Sequence, residues 1–248
     1  MRTVVAFSLY GINPLYQVGA VRNAVMYAEH RPDWELVFYV GQSIPEKVCA
    51  QILEANPRAR CEQVAEKENA SATWWRMRAL AERPYAFMSR DTDSIPCARQ
   101  RAAEDEWLGQ TGDKKDQLEA HVMRDMEYHG AVMLAGLWGV KGDALLAIAN
   151  KVRPSIEDFW TTDQIELQMR IYPMIRRNVM VHLGSPSCVY ERMSQRRPFR
   201  VPRDPGSFVG QGLNADGSPR YPEHVTPELI ISDAELFSNQ NMFEARFR

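Results

Sequence analysis

No stretch of about 18 consecutive apolar residues, the length a bilayer-crossing helix needs, occurs in the sequence, so no spanning helix is expected. The opening MRTVVAFSLYGINP turns polar too soon for a secretory leader and reads as a first strand and turn. Cysteine is scarce. Cys49, Cys61, Cys97 and Cys188 stand far apart with no CxxC pair, which argues against a zinc or disulfide framework and for reduced thiols in a cytoplasmic protein. Charge of either sign hardly prevails: 30 basic and 32 acidic residues leave a net charge of -2, with no global pull toward nucleic acid or an anionic membrane. Internal repeats and linkers are absent as well. What remains is ordinary globular material, 45% apolar and 25% charged over 248 residues, enough for one large domain with a substantial core.

The first half alternates. TVVAFSLYG (3–11) is an apolar run closed by glycine, a buried-strand signal. In the next segment Val18, Val21, Val25 and Ala28 recur at helical spacing until Pro32 stops them. WELVFYVG (34–41) is a second strand, residues 45–57 a helix bounded by prolines, and ARCEQV (59–64) a weaker strand. Residues 71–84 read as a helix, YAFMSR (85–90) as a strand and 99–112 as another helix. This rhythm predicts an α/β domain with a mostly parallel central sheet flanked by helices. Further on, 120–125, 132–140 and 179–184 read as strands, and 142–152 and 161–175 as helices. From Ser185 onward Pro, Arg, Gly and Ser dominate, which predicts a loop-rich C-terminal segment. The expected division is a domain over 1–190 and an extension, 191–248, packed on it.

In open α/β sheets ligands bind at the carboxyl ends of strands. Asp91 and Asp93, in YAFMSRDTDS, lie just past such an end. Two carboxylates in that position repel by about 4 kcal/mol at 4 Å and an effective dielectric near 20, so a divalent cation or arginines must neutralise them. Arg90 is adjacent. His182, after another apolar run, is a candidate third ligand, and two carboxylates with an imidazole suit Mn²⁺ or Mg²⁺. Thr161 or Thr162 can cap the helix that follows, with Asp163 in its first turn near the dipole, and Asp163 and Gln164 could instead place a carboxylate and an amide at a site rim. In HGAVMLAGLWGVKG, His129, Gly136, Gly139 and Trp138 could line a ligand: the glycines by close backbone approach, the indole by stacking on a sugar or by filling the core. Arg22, Arg76 and the tail arginines Arg192, Arg196, Arg197, Arg200 and Arg203 could meet a diphosphate or form a solvated basic loop.

An apolar strand followed by Asp-x-Asp resembles the metal signature of GT-A-fold nucleotide-sugar glycosyltransferases. The longer string FSLYGINPLYQVGAVRNA, RDTDS, AAEDEWL, HVMRDMEYH, LAGLWGVK and DQIELQMRIYPMI…VHLGSP is similar to bacterial glycosyltransferase-like proteins of capsule and surface-polysaccharide type. It departs from them at Ile95, Gln100 and Leu183. The resemblance implies a GT-A, Rossmann-like mixed sheet. Asp91, Asp93 and His182 would hold Mn²⁺ or Mg²⁺, and Phe7, Ser8 and Leu9 would border the base of a nucleoside diphosphate sugar, a UDP-sugar in the first instance. Arg22, Arg76, Arg90 and Asp91 would serve the phosphates or ribose, and His129, Gly136 and Trp138 the substrate. Asp163 or Asp125 would be the base of an inverting reaction, while the Asp163–Gln164 pair leans toward retention. The implied acceptor is a glycan or lipid-linked glycan. A non-catalytic nucleotide-sugar-binding homologue and a nucleic-acid-modifying transferase are the alternatives. A haloacid-dehalogenase-type phosphotransferase also uses Asp-x-Asp, but its second acidic pair has no counterpart, since no Asp-Asp dipeptide occurs.

Overall fold

β1 (Thr3–Leu9) and β2 (Glu35–Val40) are the two apolar runs, paired in parallel from Val4↔Glu35 to Leu9↔Val40. The computed structural model describes residues 1–220 except 112, 114–115, 128, 154–155, 160–161 and 185–189. Residues 221–248 of the expected C-terminal extension, and Thr161 as an expected helix cap, lie outside the described residues. Between the first strands runs α1 (Pro14–His30), with Pro14 in its first turn and the Asn13 side chain accepting from the Leu15 N–H. Then come α2 (Glu46–Ala55), β3 (Ala59–Gln63), β4 (Ala86–Ser89), α3 (Ala98–Leu108), β5 (Ala120–Arg124), β6 (Trp138–Lys141) and α4 (Gly142–Ala149). α5 (Thr162–Glu166), a π-helical stretch (Leu167–Ile171) and α6 (Tyr172–Ile175) lead to β7 (Val179–Leu183) and β8 (Arg196–Pro198).

The described strands form one eight-stranded sheet in the order β3-β2-β1-β4-β6-β5-β7-β8. β6 runs antiparallel to both of its neighbours, and the other pairings are parallel. Alternation along β1 divides the core. Val5, Phe7 and Leu9 pack toward α1 and α2, with Phe7 stacked on Phe38 at 4.6 Å between ring centroids. Val4 and Ala6 pack on the opposite face among Trp74, Trp75, Met77 and Leu80. Each large side chain buried in this way contributes roughly 1.5–3 kcal/mol.

Two expected elements differ. Residues 70–82 are 3₁₀ rather than α-helical. With three residues per turn, side chains at i and i+3 eclipse; Trp74, Met77 and Leu80 form one buried row, and Thr73 and Arg76 form another that faces a cavity. The strand expected over 132–140 shrinks to 138–141, because the 131–137 segment turns back toward the sheet instead of pairing. Its Leu134 and Leu137 pack against Met123, Ala103 and Val209. Among the described residues no helix is long and apolar enough to cross a membrane.

Candidate active site

A cavity of about 650 Å³ opens at the carboxyl ends of β1 and β4, lined by Ser8, Tyr10, Arg76, Asp91, Asp93, His129, Gly136, Asp163 and Gln164 among others. The loop carrying the aspartates is clamped from α1. Asn23 is buried and donates from Nδ2 to the carbonyls of Thr92 (3.2 Å) and Ser94 (2.9 Å). One turn earlier, Gly19 gives the loop room, since a Cβ there would stand 2.1 Å from the Thr92 carbonyl oxygen. From the other side the Leu213 N–H donates to the Asp93 carbonyl at 2.7 Å.

Arg76 is the hub. It is buried and donates to the Arg90 carbonyl (2.9 Å), to Asp91 (2.5 Å) and to Asp163 (3.2 Å). Burial works against its charge, but Asp91 and Asp163 outweigh it and hold the guanidinium protonated. Arg220 donates to Asp93 at 2.9 Å. Burial, and then the neighbouring Asp91, push the Asp93 carboxyl up to about 6. The Asp91 side chain keeps 46% of its surface exposed, so it faces the cavity and not the core. Gly136 backs it so closely that a Cβ would lie 2.1 Å from Oδ2.

Across the cavity, Asp163 accepts from the Gln164 N–H at Oδ1 and from Arg76 at Oδ2. The Gln164 side-chain oxygen accepts from the Ala135 N–H at 2.9 Å, which leaves its NH₂ group as the donor toward a ligand. His129 accepts at Nδ1 from the Asp125 N–H (3.1 Å), and burial holds it down at about 4. It is therefore neutral with its proton on Nε2, a hydrogen-bond donor. Burial pushes the Tyr10 hydroxyl up to about 12, so it too stays protonated.

Three carboxylates (Asp91, Asp93, Asp163) against two guanidiniums (Arg76, Arg220) leave the cluster one charge negative. The donors are hard oxygens. This set fits a Mn²⁺ or Mg²⁺ ion held by one or two carboxylates and completed by phosphate and water. It does not fit a closed protein cage: among the described residues no three His, Cys, Asp or Glu side chains converge on one point.

Several expected members stand elsewhere. His182 is fully buried on β7; its ring nitrogens meet His121 (2.9 Å) and Glu106 of α3 (3.4 Å), not the aspartates. Alternation explains this: Val181 and Leu183 face the 3₁₀ segment, while Met180 and His182 face α3. The same period sends Arg90 away from Asp91 to a buried pair with Glu104 at 2.7 Å. Asp125 is fully buried and takes Arg99 (2.9 Å), Arg203 (3.1 Å) and the Val209 N–H (2.9 Å), so it is no base for a substrate. Trp138 is a core side chain packed on Phe87, not a sugar platform. Phe7 and Leu9 are core, and of the first-strand trio Ser8 alone reaches the cavity. Arg22 donates to the carbonyls of Asn214 (3.0 Å) and Ala215 (2.8 Å) in the tail.

Tyr10, Asn23 and Arg220 were absent from the expected set. An asparagine four residues after Gly19, on the buried side of α1, was a legible signal; nothing local marks Arg220, which reaches Asp93 across 127 positions.

No protein-family model matches the sequence, and no curated protein sequence does. Solved structures are similar to it in fold. S. aureus TarS 1-349 superposes with a TM-score of 0.51 at 10% identity over 73% of this chain and 58% of that one. The mannosyltransferase PcManGT from Pyrobaculum calidifontis in complex with GDP-Man and Mn²⁺ gives 0.45 at 14% identity, over 59% of this chain and 46% of that one. Glucosyl-3-phosphoglycerate synthase from Mycobacterium tuberculosis in complex with UDP gives 0.48 at 14% identity, over 82% and 73%. The chain thus spans about half the length of the first two. At these identities the likeness to TarS is one of fold, and the mixed, mostly parallel sheet flanked by helices is of GT-A type.

Proposed function

We propose that this chain is a divalent-metal-dependent glycosyltransferase that moves a sugar from a nucleoside diphosphate sugar to an acceptor hydroxyl. The observation that carries the proposal is the strand-end cavity in which Asp91 and Asp93 face Asp163 and Gln164 across Arg76. Its volume, about 650 Å³, suits a nucleotide-sized ligand. Asp91 and Asp93 would hold Mn²⁺ or Mg²⁺, which when bound supplies Lewis-acid stabilisation of the leaving diphosphate. Arg76 and Arg220 add fixed positive charge where diphosphate charge develops. Ser8 and Tyr10 border the β1 end of the cavity, where the resemblance places the base of a UDP-sugar.

Retention is the favoured course. An inverting reaction needs a free carboxylate to deprotonate the acceptor, and Asp163 is tied on one oxygen to Arg76 and on the other to a backbone N–H. That engagement suits electrostatic support of a sugar cation, with Gln164 as donor and a diphosphate oxygen taking the proton. The acceptor, on the surface-polysaccharide resemblance, is a glycan or lipid-linked glycan met in the cytoplasm. The nucleic-acid alternative lacks support. Arg196 binds the Glu191 carbonyl, Arg203 binds Asp125, and Arg197 and Arg200 meet Glu106, so these four tail arginines form no basic stripe.

The test is the melting shift and sugar release with UDP- and GDP-sugars plus Mn²⁺. Wild type should show both, and Asp93→Ala neither. No shift with any nucleotide and metal would remove the enzyme reading.

A further inference from the structure

A second cavity, of about 420 Å³, is lined by Val132, by the π-helical stretch and α6, and by residues 190–195. Both draw on the same two segments: Gln164 lines one and Gln168, one helical turn on, the other, while the 129–137 segment gives His129 and Leu134 to the first and Val132 to the second. The floor is braced by a buried network. The Tyr172 hydroxyl donates to Glu191, and Arg124 donates to both Glu191 oxygens at 2.9 and 2.6 Å. The same guanidinium lies 5.0 Å from the centre of the Tyr190 ring. Glu191 is thereby matched in charge, so it adds no net negative potential to the cavity.

The rim is different. Arg176, Arg177 and Arg192 line the cavity, are exposed, and have no ion-pair partner among the described residues. Between them lies apolar surface: Tyr172, Tyr190 and Met169, the last 68% exposed although it is a large hydrophobic side chain. The wall that presents Met169 is the π-helical stretch, a rare geometry that occurs frequently at functional sites. Three unmatched guanidinium forks exceed what one carboxylate can use. A phosphate monoester offers three acceptor oxygens and a charge near −2.

We propose that this cavity binds an organic phosphate, its three non-bridging oxygens met by Arg176, Arg177 and Arg192 and its apolar or ring body laid on Tyr172, Tyr190 and Met169. Resting on the glycosyl-transfer reading of the first cavity, this ligand is the acceptor, which narrows the glycan or lipid-linked glycan to one that carries an anionic phosphate ester. Gln168 of this cavity stands one helical turn from Gln164 of the donor cavity, so an acceptor held here extends toward Gln164.

Calorimetric titration of the full chain with phenyl phosphate, octyl phosphate below its micelle-forming concentration, inorganic phosphate and octyl glucoside tests this. Saturable binding of a phosphate ester is expected, with stronger binding of octyl phosphate indicating a lipid source and stronger binding of phenyl phosphate a soluble ring-bearing one. The triple variant Arg176→Ala, Arg177→Ala, Arg192→Ala should weaken ester binding at least tenfold while the UDP-plus-Mn²⁺ melting shift persists, which also reports that the variant is folded. Equal ester affinity in the triple variant, or no ester binding at all, overturns the site. Inorganic phosphate or octyl glucoside binding as well as the esters overturns the pairing of charge with an apolar body. Ester binding without any UDP shift would sink the donor reading and leave this site standing; the reverse would sink this site alone.

Discussion

Protons and cations should compete at Asp93. Its carboxyl, pushed up to about 6 by burial and by Asp91, sits above the 3.8 of an unperturbed aspartate. The folded state therefore binds the proton more tightly than the unfolded chain. The sign follows: the protein without cation pays nothing for Asp93 below about pH 4, loses stability as pH rises through 6, and carries the full cost above it. The shift corresponds to a cost on the order of 3 kcal/mol, at about 1.36 per unit. A divalent cation at the pair relieves that cost, and it must displace the proton to do so. With a pKa near 6, the carboxylate is about nine-tenths ionised at pH 7 and about one-tenth at pH 5. Apparent Mn²⁺ affinity should therefore fall about tenfold between those pH values, and the Mn²⁺-induced rise in Tm should shrink with it. Calorimetry and melting curves at pH 5, 6 and 7, with and without UDP, measure both. An affinity flat across the range would show that Asp93 is not a ligand.

Other residues separate the site from its scaffold. Gly136→Ala would drive a Cβ to 2.1 Å from Asp91 Oδ2; the carboxylate must move, so Mn²⁺-dependent UDP binding should drop at least tenfold. Its Tm should change by only a few degrees, because the strain falls on a side chain 46% exposed. Glu104→Ala leaves the Arg90 guanidinium buried without its carboxylate, and urea unfolding should report a loss of about 3–5 kcal/mol. His182→Asn should lower stability by breaking the contacts to His121 and Glu106, yet leave the Mn²⁺-dependent UDP shift intact; loss of that shift at unchanged stability would return His182 to the metal site.

The parts of the fold legible in sequence were those set by one local signal. The apolar runs at 3–9 and 35–40 had to be buried strands, and Pro14 and the valine spacing marked α1. Strand-end placement brought Asp91 and Asp93 to a cavity with Asp163 and Gln164. What failed was facing. Arg90 precedes Asp91 by one residue and therefore points the other way; His182 ends an apolar strand, but on the α3 face. A tryptophan between glycines looks alike whether it serves a ligand or the core, and Trp138 serves the core. Arg197, Arg200 and Arg203 looked like part of a basic loop because their carboxylate partners, Glu106 and Asp125, lie far away in sequence.

The strap formed by residues 201–220 carries a consequence for biogenesis. Arg22 meets its acceptor carbonyl 192 positions downstream, Asp125 its Val209 N–H 84 downstream, and Asp93 its guanidinium 127 downstream. Such closures are entropically late events. On a ribosome delivering the chain from its N-terminus, the sheet strands β1 to β4 can assemble while Asp93 still lacks its Arg220 partner and before Asp125 gains the Val209 N–H. The cavity acquires its final electrostatics only after the strap has emerged, so an incompletely synthesised chain should be folded in its first half and inert toward a nucleotide.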